Sequence, residues 1–447
     1  MDKEPQMSKE KAAAYLIDKG NEYVTTKYGD ENTPGERPLP YHNGYHSKQE
    51  VVSHVIRMGE IALKRGKITS SDFMLLPIAG AWHDAEQDLG PGQNEDVSAD
   101  RLEEQLRATG VFSEDEISKG RNFVLATKAP IKDGVMKQEA TEDYATQIIC
   151  DADWFKVGAD FPTYWQRSLD YLREVKGNEE LSAEDIAAFA ADQVHLFGEQ
   201  EFFTEEAREI FPNRESNMQR SRELANTEVS PSVTKTIDFV KEQLKDQSGG
   251  HGWDHVERAW KNAKRIALEE GDVDIELVEL ATILHDVADY KFHGGDEEAG
   301  PRVAGEWLQS IGIEQNSVEH VQDIIRGISF KGAGVETPMQ TKEGMIVQDA
   351  DRLDALGVIG IARAIATGEH FKEPLYDPDI PPTEHQSHAE YMSRHEKPAT
   401  TINHFDEKLK HLPERMNTRS AKRIAQRRWE YMKTFVNRIK DEWDGKA

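Results

Sequence analysis

The stretch "ILHDVADYKFHG", residues 283–294, sets an imidazole and a carboxylate, His285 and Asp286, at the end of an apolar run, and "AGAWHDAEQDLG" at 79–90 does the same with His83 and Asp84. Both side chain types resist burial unless they find partners. In the second half of the chain His255, His285, Asp286 and Asp351 read as standing on three different helices, at or near their ends, beside apolar residues that carry them inward. Packing those helices brings two imidazoles and two carboxylates together. A divalent cation resolves the conflict, since both group types ligate Mn, Fe, Co, Ni, Zn or Mg, the oxygen-rich mixture favouring the harder metals. Four protein ligands leave room for water on an octahedral ion, and a bound water of lowered pKa is a nucleophile.

The elements that position these groups read as helices. Val51, Val55, Met58 and Ala62 form one stripe, and Val256, Ala259, Ala263 and Ala267 another; Leu277, Leu280 or Ala281, and Leu284 form a third, the three- and four-residue recurrence of an amphipathic helix. No alternation of period two persists beyond a few residues, so the fold class is all-α. Helix stops are expected at Gly66, Gly90, "GPGQN" 90–94, Gly271 and "HGG" 293–295. A chain of 447 residues exceeds one ordinary core, which predicts two domains. The polar, proline-containing "ANTEVSPSVTK", 225–235, is the linker candidate.

Across that linker the halves repeat. "YHNGYH" (41–46), "EIALKRG" (60–66), "WHDAEQD" (82–88) and "CDADWFKVG" (150–158) are followed, in the same order, by "GHGWDH" (250–255), "RIALEEG" (265–271), "LHDVADY" (284–290) and "QDADRLDALG" (348–357). The spacings agree roughly: 37 residues from His46 to His83 against 30 from His255 to His285, and 69 from Asp84 to Asp153 against 65 from Asp286 to Asp351. Units of this length are duplicated domains rather than a solenoid, whose repeats are about 20–50 residues.

An isolated histidine, a His-Asp doublet at a helix end and a later Asp in "DADRLDALG" resemble the HD-domain superfamily of metal-dependent phosphohydrolases, an all-helical fold. The second half is similar to small bacterial HD hydrolases that act on nucleotides, through "VADYKFH", "IIRGISFKG" (324–332) and "TTINHFDEKL" (400–409), over roughly 233–445. The resemblance implies His255, His285, Asp286 and Asp351 as metal ligands. The first half resembles another branch of the superfamily through "YHNGYH", "WHD", "GQNEDVSA" (92–99) and "EAREIFPNRESNMQRSREL" (206–224), which implies His46, His83, Asp84 and Asp153. The expected organisation is two tandem HD-domain helical bundles, residues 1–228 with an N-terminal helical extension and 229–447 with C-terminal helices, up to one divalent metal site in each.

The halves differ four positions after the doublet histidine. The second has Asp289, where superfamily members often keep a carboxylate that handles protons; the first has Gln87, with Glu86 and Asp88 expected on other faces. Phosphate chemistry also needs positive charge that is not metal. Lys291, Arg326 and Lys331 are candidates in the second half and Lys128 in the first. The expected chemistry has Asp289 assist proton transfer from the attacking water while Lys291, Arg326 and Lys331 hold phosphate oxygens. Asp151 and Asp349 compete with Asp153 and Asp351, but residues two apart on a helix point about 200° apart, and the resemblance favours the later member of each pair. His42 and His251 read as lying behind the ligands or facing substrate, with the two roles left open.

Composition narrows the partners. A formal charge of −28, from 55 basic and 83 acidic side chains, repels a nucleic-acid backbone over most of the surface. No run approaches the roughly 18 apolar residues of a membrane span, and "MDKEPQMSKEKAAAYL" lacks the apolar core of a secretory signal. The single cysteine, Cys150, excludes an internal disulfide and a cysteine-based zinc cluster and fits a reducing, cytoplasmic setting. The reading is a cytoplasmic phosphohydrolase of a small nucleotide, foremost a (deoxy)nucleoside triphosphate, with no nucleic-acid polymer or membrane partner and with self-association open. The alternatives are an HD phosphodiesterase or alarmone hydrolase, and a metal- and nucleotide-binding regulatory module without turnover. Residues 366–398 read as a proline-bearing loop able to cover the second site.

Overall fold

The apolar stripes become the buried faces of helices: Val51, Val55, Met58 and Ala62 in the first half and Val256, Ala259, Ala263 and Ala267 in the second are all excluded from solvent. The computed structural model describes residues 7–132, 135–136, 138, 142–177, 180–197, 201–226, 228–245, 252–288, 296–328, 338–383 and 399–446. By its internal contacts the chain separates into two units, Met1–Thr227 and Glu228–Ala447.

The first unit contains α1 (Lys9–Tyr28), a π-helical turn His46–Val52 that runs into α2 (Ser53–Lys64), then α3 (Ser70–Trp82), α4 (Gln93–Thr109) and α5 (Glu114–Leu125). A two-residue antiparallel pair, β1 (Ile131–Lys132) with β2 (Val135–Met136), interrupts the helices. It is followed by α6 (Tyr144–Asp153), α7 (Phe161–Val175), α8 (Ala183–Phe197), α9 (Glu205–Ile210) and α10 (Arg214–Ala225). The second unit holds α11 (Pro231–Gln243), α12 (Trp253–Glu270), α13 (Ile275–Leu284), α14 (Ala299–Ser310), α15 (Gln315–Ile328), α16 (Lys342–Leu353), α17 (Gly357–His370), α18 (Asn403–Glu407) and α19 (Arg419–Trp443). The architecture is all-α.

Two helices explain why the doublets lie where they do. α3 starts at a reciprocal cap, in which the Thr69 hydroxyl accepts from Asp72 N and the Asp72 carboxylate accepts from Thr69 N, a pairing that satisfies two otherwise orphaned donors. From Leu75 to Trp82 every residue is buried. α13 starts at Asp274, which accepts from Leu277 N, and is buried from Leu277 to Leu284. A helix apolar on all sides belongs in the middle of its layer, and α13 indeed packs on α11, α12, α15 and α16. Its end is therefore deep inside the unit. The chain reaches each central helix through a glycine in the left-handed region, Gly66 at φ 69° and Gly271 at φ 73°, a conformation that costs other residues about 1–2 kcal/mol.

The stretch read as a loop, 366–398, begins helically, because α17 continues to His370; residues 384–398 lie outside the described ones, as does the "HGG" stop. Among the described residues no helix is long and apolar enough to cross a membrane.

Candidate metal centres

In the first unit three elements deliver donors to one point: the π-helical turn brings His46, the end of α3 brings His83 and Asp84, and the last residue of α6 is Asp153. His46 Nε2 lies 3.6 Å from Asp84 Oδ2 and 3.5 Å from Asp153 Oδ1, and His83 Nε2 lies 3.0 and 3.6 Å from the same two oxygens. In the second unit α12 brings His255, the end of α13 brings His285 and Asp286, and α16 brings Asp351. There the two Nε2 atoms are 3.3 Å apart. His255 Nε2 is 3.7 Å from Asp286 Oδ2 and 3.4 Å from Asp351 Oδ1, and His285 Nε2 is 3.7 and 3.8 Å from them. The backbones match as well: His83 and His285 each follow their helix at φ −59°, with ψ −36° and −34°.

The opposite side of each imidazole is engaged. His83 Nδ1 donates to Gly80 O at 2.8 Å and His285 Nδ1 to Thr282 O at 2.6 Å. His46 Nδ1 donates to Glu50 at 2.8 Å and His255 Nδ1 to Asp354 at 2.7 Å. Each Nδ1 therefore carries a proton, which leaves each Nε2 as the atom able to turn a lone pair on a cation, the arrangement that metal-bound histidines adopt. The supporting carboxylates are gripped in turn, Glu50 by Arg167 Nε at 2.9 Å and Asp354 by Arg258 Nε at 2.7 Å and by Arg363.

The residues present fit a divalent cation. Two donors each about 2.1 Å from an ion and about 90–110° apart are separated by about 3.0–3.4 Å, close to the separations observed. In the first unit His46 Nε2, His83 Nε2 and Asp84 Oδ2 are buried and make no hydrogen bond, a deficit buried polar atoms almost never sustain. Charge tells the same story. Burial works to raise the Asp84 carboxyl, but His83, His42 and His46 hold it below its ordinary value. Burial works to lower His255, yet Asp351 and Asp354 push it up to about 9. Both clusters draw positive charge inward.

The other aspartate of each "DAD" has separate work. Asp151 accepts from Phe203 N, Thr204 N and the Thr204 hydroxyl, and Asp349 accepts from Asn417 N, Thr418 N and the Thr418 hydroxyl. Thr204 and Thr418 are the caps of α9 and α19. On one helix, two residues apart, one carboxylate faces the cluster and the other ties down a later helix.

Gln87 turns its amide to Asp84, Nε2 donating to Oδ1 at 2.9 Å. Glu86 is buried and taken by Lys27 at 2.8 Å and Arg101 at 3.2 Å, and Asp88 is taken by Lys27 at 2.8 Å and by Arg37. Lys128 pairs with Asp96 at 2.6 Å, and exposed Arg326 pairs with Glu298 at 3.1 Å and Asp323 at 2.7 Å. Asp289, Lys291, Lys331 and His251 lie outside the described residues. Glu50, Asp354, Arg167 and Arg258 do not stand out in the sequence. The only advance signal for Glu50 was its position four after His46, and Asp354 lies three after Asp351 in the motif already noted.

The model of the HD domain matches residues 252–356, which hold all four donors of the second cluster. YpgQ of Bacillus subtilis (strain 168), an uncharacterized protein, is 32% identical over 209 residues, 46% of this chain and 91% of YpgQ. Similar solved structures include an HD-superfamily hydrolase from Bacillus thuringiensis, with 38% identity, coverage of 47% of this chain and 96% of that one, and a TM-score of 0.38. Another is Bacillus subtilis YpgQ in complex with ADP, with 28% identity, coverage of 48% and 100%, and a TM-score of 0.37.

Proposed function

The chain belongs to the HD-domain family of metal-dependent phosphohydrolases, and we propose that its two units are tandem HD domains, each with one divalent-metal site. Their substrate in this reading is a small nucleotide, first a (deoxy)nucleoside triphosphate, cleaved at a phosphate ester or anhydride bond. The observation that carries the metal sites is the convergence of the Nε2 atoms of His46 and His83, and of His255 and His285, on aspartate oxygens, with Nδ1 of every ring engaged elsewhere. The nucleotide is supported by the sequence relation to YpgQ, a protein solved in complex with ADP.

A bound divalent cation supplies Lewis acidity toward a phosphoryl oxygen and acidifies water. His46, His83, Asp84 and Asp153 would hold it in the first unit, and His255, His285, Asp286 and Asp351 in the second. The rest is the work of the chain. Glu50 and Asp354 fix ring orientation and tautomer, so that no rearrangement is needed when substrate arrives. In the second unit Asp289 takes a proton from the attacking water, and Lys291 and Lys331 hold phosphate oxygens, joined by Arg326 if it leaves Glu298 and Asp323. In the first unit the amide of Gln87 cannot take that proton, so the second unit is the faster.

The test is a metal-supplemented screen of nucleotides that scores release of phosphate, pyrophosphate or triphosphate from the wild-type chain and from Asp84→Ala and Asp286→Ala. Triphosphate or pyrophosphate released from nucleoside triphosphates supports the reading. Turnover of only cyclic or alarmone substrates would favour the phosphodiesterase alternative, and binding without turnover the regulatory one.

A further inference from the structure

The first unit lacks both the proton-handling carboxylate and a disengaged lysine at the places where the sequence suggested them: Gln87 is turned to Asp84 and Lys128 to Asp96. A different side chain stands beside its cluster. His42 has its ring centroid 6.1 Å from that of His46, edge to face. Its Nδ1 donates to Glu174 Oε1 at 2.5 Å, while Glu174 Oε2 accepts from the backbone N–H of both Tyr41 and His42 at 3.0 Å. One carboxylate thus holds the ring and its backbone together.

The turn that carries His42 is pinned throughout. The Asn43 amide donates to Leu39 O and Pro40 O, and its oxygen accepts from Tyr45 N and His46 N. Gly44 lets this turn lie on α1, because a Cβ there would stand 2.0 Å from Thr25 Oγ1. Arg167, which grips Glu50, also donates to Tyr41 O at 3.1 Å. The Tyr41 ring is the common floor, with the rings of His42 and His46 each 4.7 Å away and Lys156 Nζ 4.2 Å above it. His42 keeps about a quarter of its side chain exposed, at 23%. Among the described residues its Nε2 has no hydrogen-bond partner.

We propose that His42, held by Glu174 as the imidazolium of an ion pair, is the substrate-binding group of the first site, donating from Nε2 to a phosphoryl oxygen of a substrate seated at His46, His83, Asp84 and Asp153. Glu174 is its positioning residue. A preorganised donor fixed on one side and open on the other is what recognition of a developing phosphoryl charge requires, and the neighbouring Lys156 adds positive charge to the same wall. This assignment rests on the reading of the first cluster as a metal site.

The experiment uses the full chain carrying Asp286→Ala, which leaves the first site, and measures by calorimetry the binding of manganese alone and then of inorganic phosphate to the manganese-loaded protein. His42→Ala is expected to weaken phosphate roughly ten- to a hundredfold and to leave manganese affinity unchanged. Glu174→Gln should weaken phosphate less, again without loss of manganese, and serves if His42→Ala does not fold. Unchanged phosphate affinity in both variants overturns the proposal while the metal site stands. Equal loss of manganese and phosphate also overturns it, because His42 would then support the ligands rather than the substrate. Failure of the parent chain to bind manganese removes the metal reading and the proposal together.

Discussion

Asp354 holds His255 from behind: its Oδ2 lies 2.7 Å from His255 Nδ1, on the side of the ring away from His285 and Asp351. In the first unit Glu50 does the same for His46 at 2.8 Å, yet the two carboxylates come from different places. Glu50 lies on the same helical turn as its histidine, in a π-helical stretch that brings residue i+4 under the ring, whereas Asp354 comes from beyond the end of α16. Two unlike backbones arrive at one tautomer.

Loss of that support should loosen the ligands without removing any. Glu50→Gln and Asp354→Asn are each expected to lower the manganese affinity of their own unit about 10–100-fold, with the other unit unaffected. Calorimetric titration of the full chain, with two classes of site resolved, measures it.

Removal of a ligand should separate the sites. Asp84→Ala and Asp286→Ala are each expected to cost one equivalent of bound metal, read by elemental analysis of the protein after equilibration with manganese. The greater loss of hydrolysis is expected with Asp286→Ala.

The neighbouring aspartates should behave differently. Asp151→Ala and Asp349→Ala strip the acceptor from buried N–H groups at the start of α9 and α19, at an expected cost of about 2–3 kcal/mol. A lower urea midpoint with metal stoichiometry retained at low denaturant is the expected outcome; loss of metal from an otherwise stable variant would reassign these residues.

His54 gives the first unit a pH dependence. It is packed between Phe155 and Phe211, with ring centroids 4.6 and 4.9 Å away, and burial pushes its pKa down to about 4 although Glu50 works the other way. Unfolded, it binds a proton near its ordinary value of about 6.5. Between those values the unfolded chain holds the extra proton, so stability is complete above about pH 6.5 and falls as the pH drops toward about 4. Measured against His54→Phe, the urea midpoint of the wild-type chain should fall between about pH 7.5 and about pH 5, because the raised imidazoles of His42 and His83 are common to both proteins.

What the sequence made legible follows from its physics. His83-Asp84 and His285-Asp286 stood out because an apolar helix cannot end in such pairs without a reason, and the resemblance to HD phosphohydrolases, carried by the order of the landmarks, placed His46, Asp153, His255 and Asp351 beside them. The helical period also separated Asp151 from Asp153, since two residues on one helix cannot face one point. It could not say what Asp151 faces, because Thr204 is reached only through packing. Glu174 was equally hidden: one acid among 83, it meets His42 across 132 residues. Arg326 and Lys128 show the converse, since a cation near a motif says nothing of the carboxylates that fold up against it.

The double duty of each "DAD" helix bears on how the protein is made. All the donors of the first cluster lie at or before Asp153, and those of the second at or before Asp351, but one tie on the helices that carry them, from Asp151 and from Asp349, is completed by Thr204 and Thr418. A nascent chain that has emerged to residue 160 or 360 owns every donor and lacks the clasp. That tie of each helix can close only after about fifty to seventy further residues have been made.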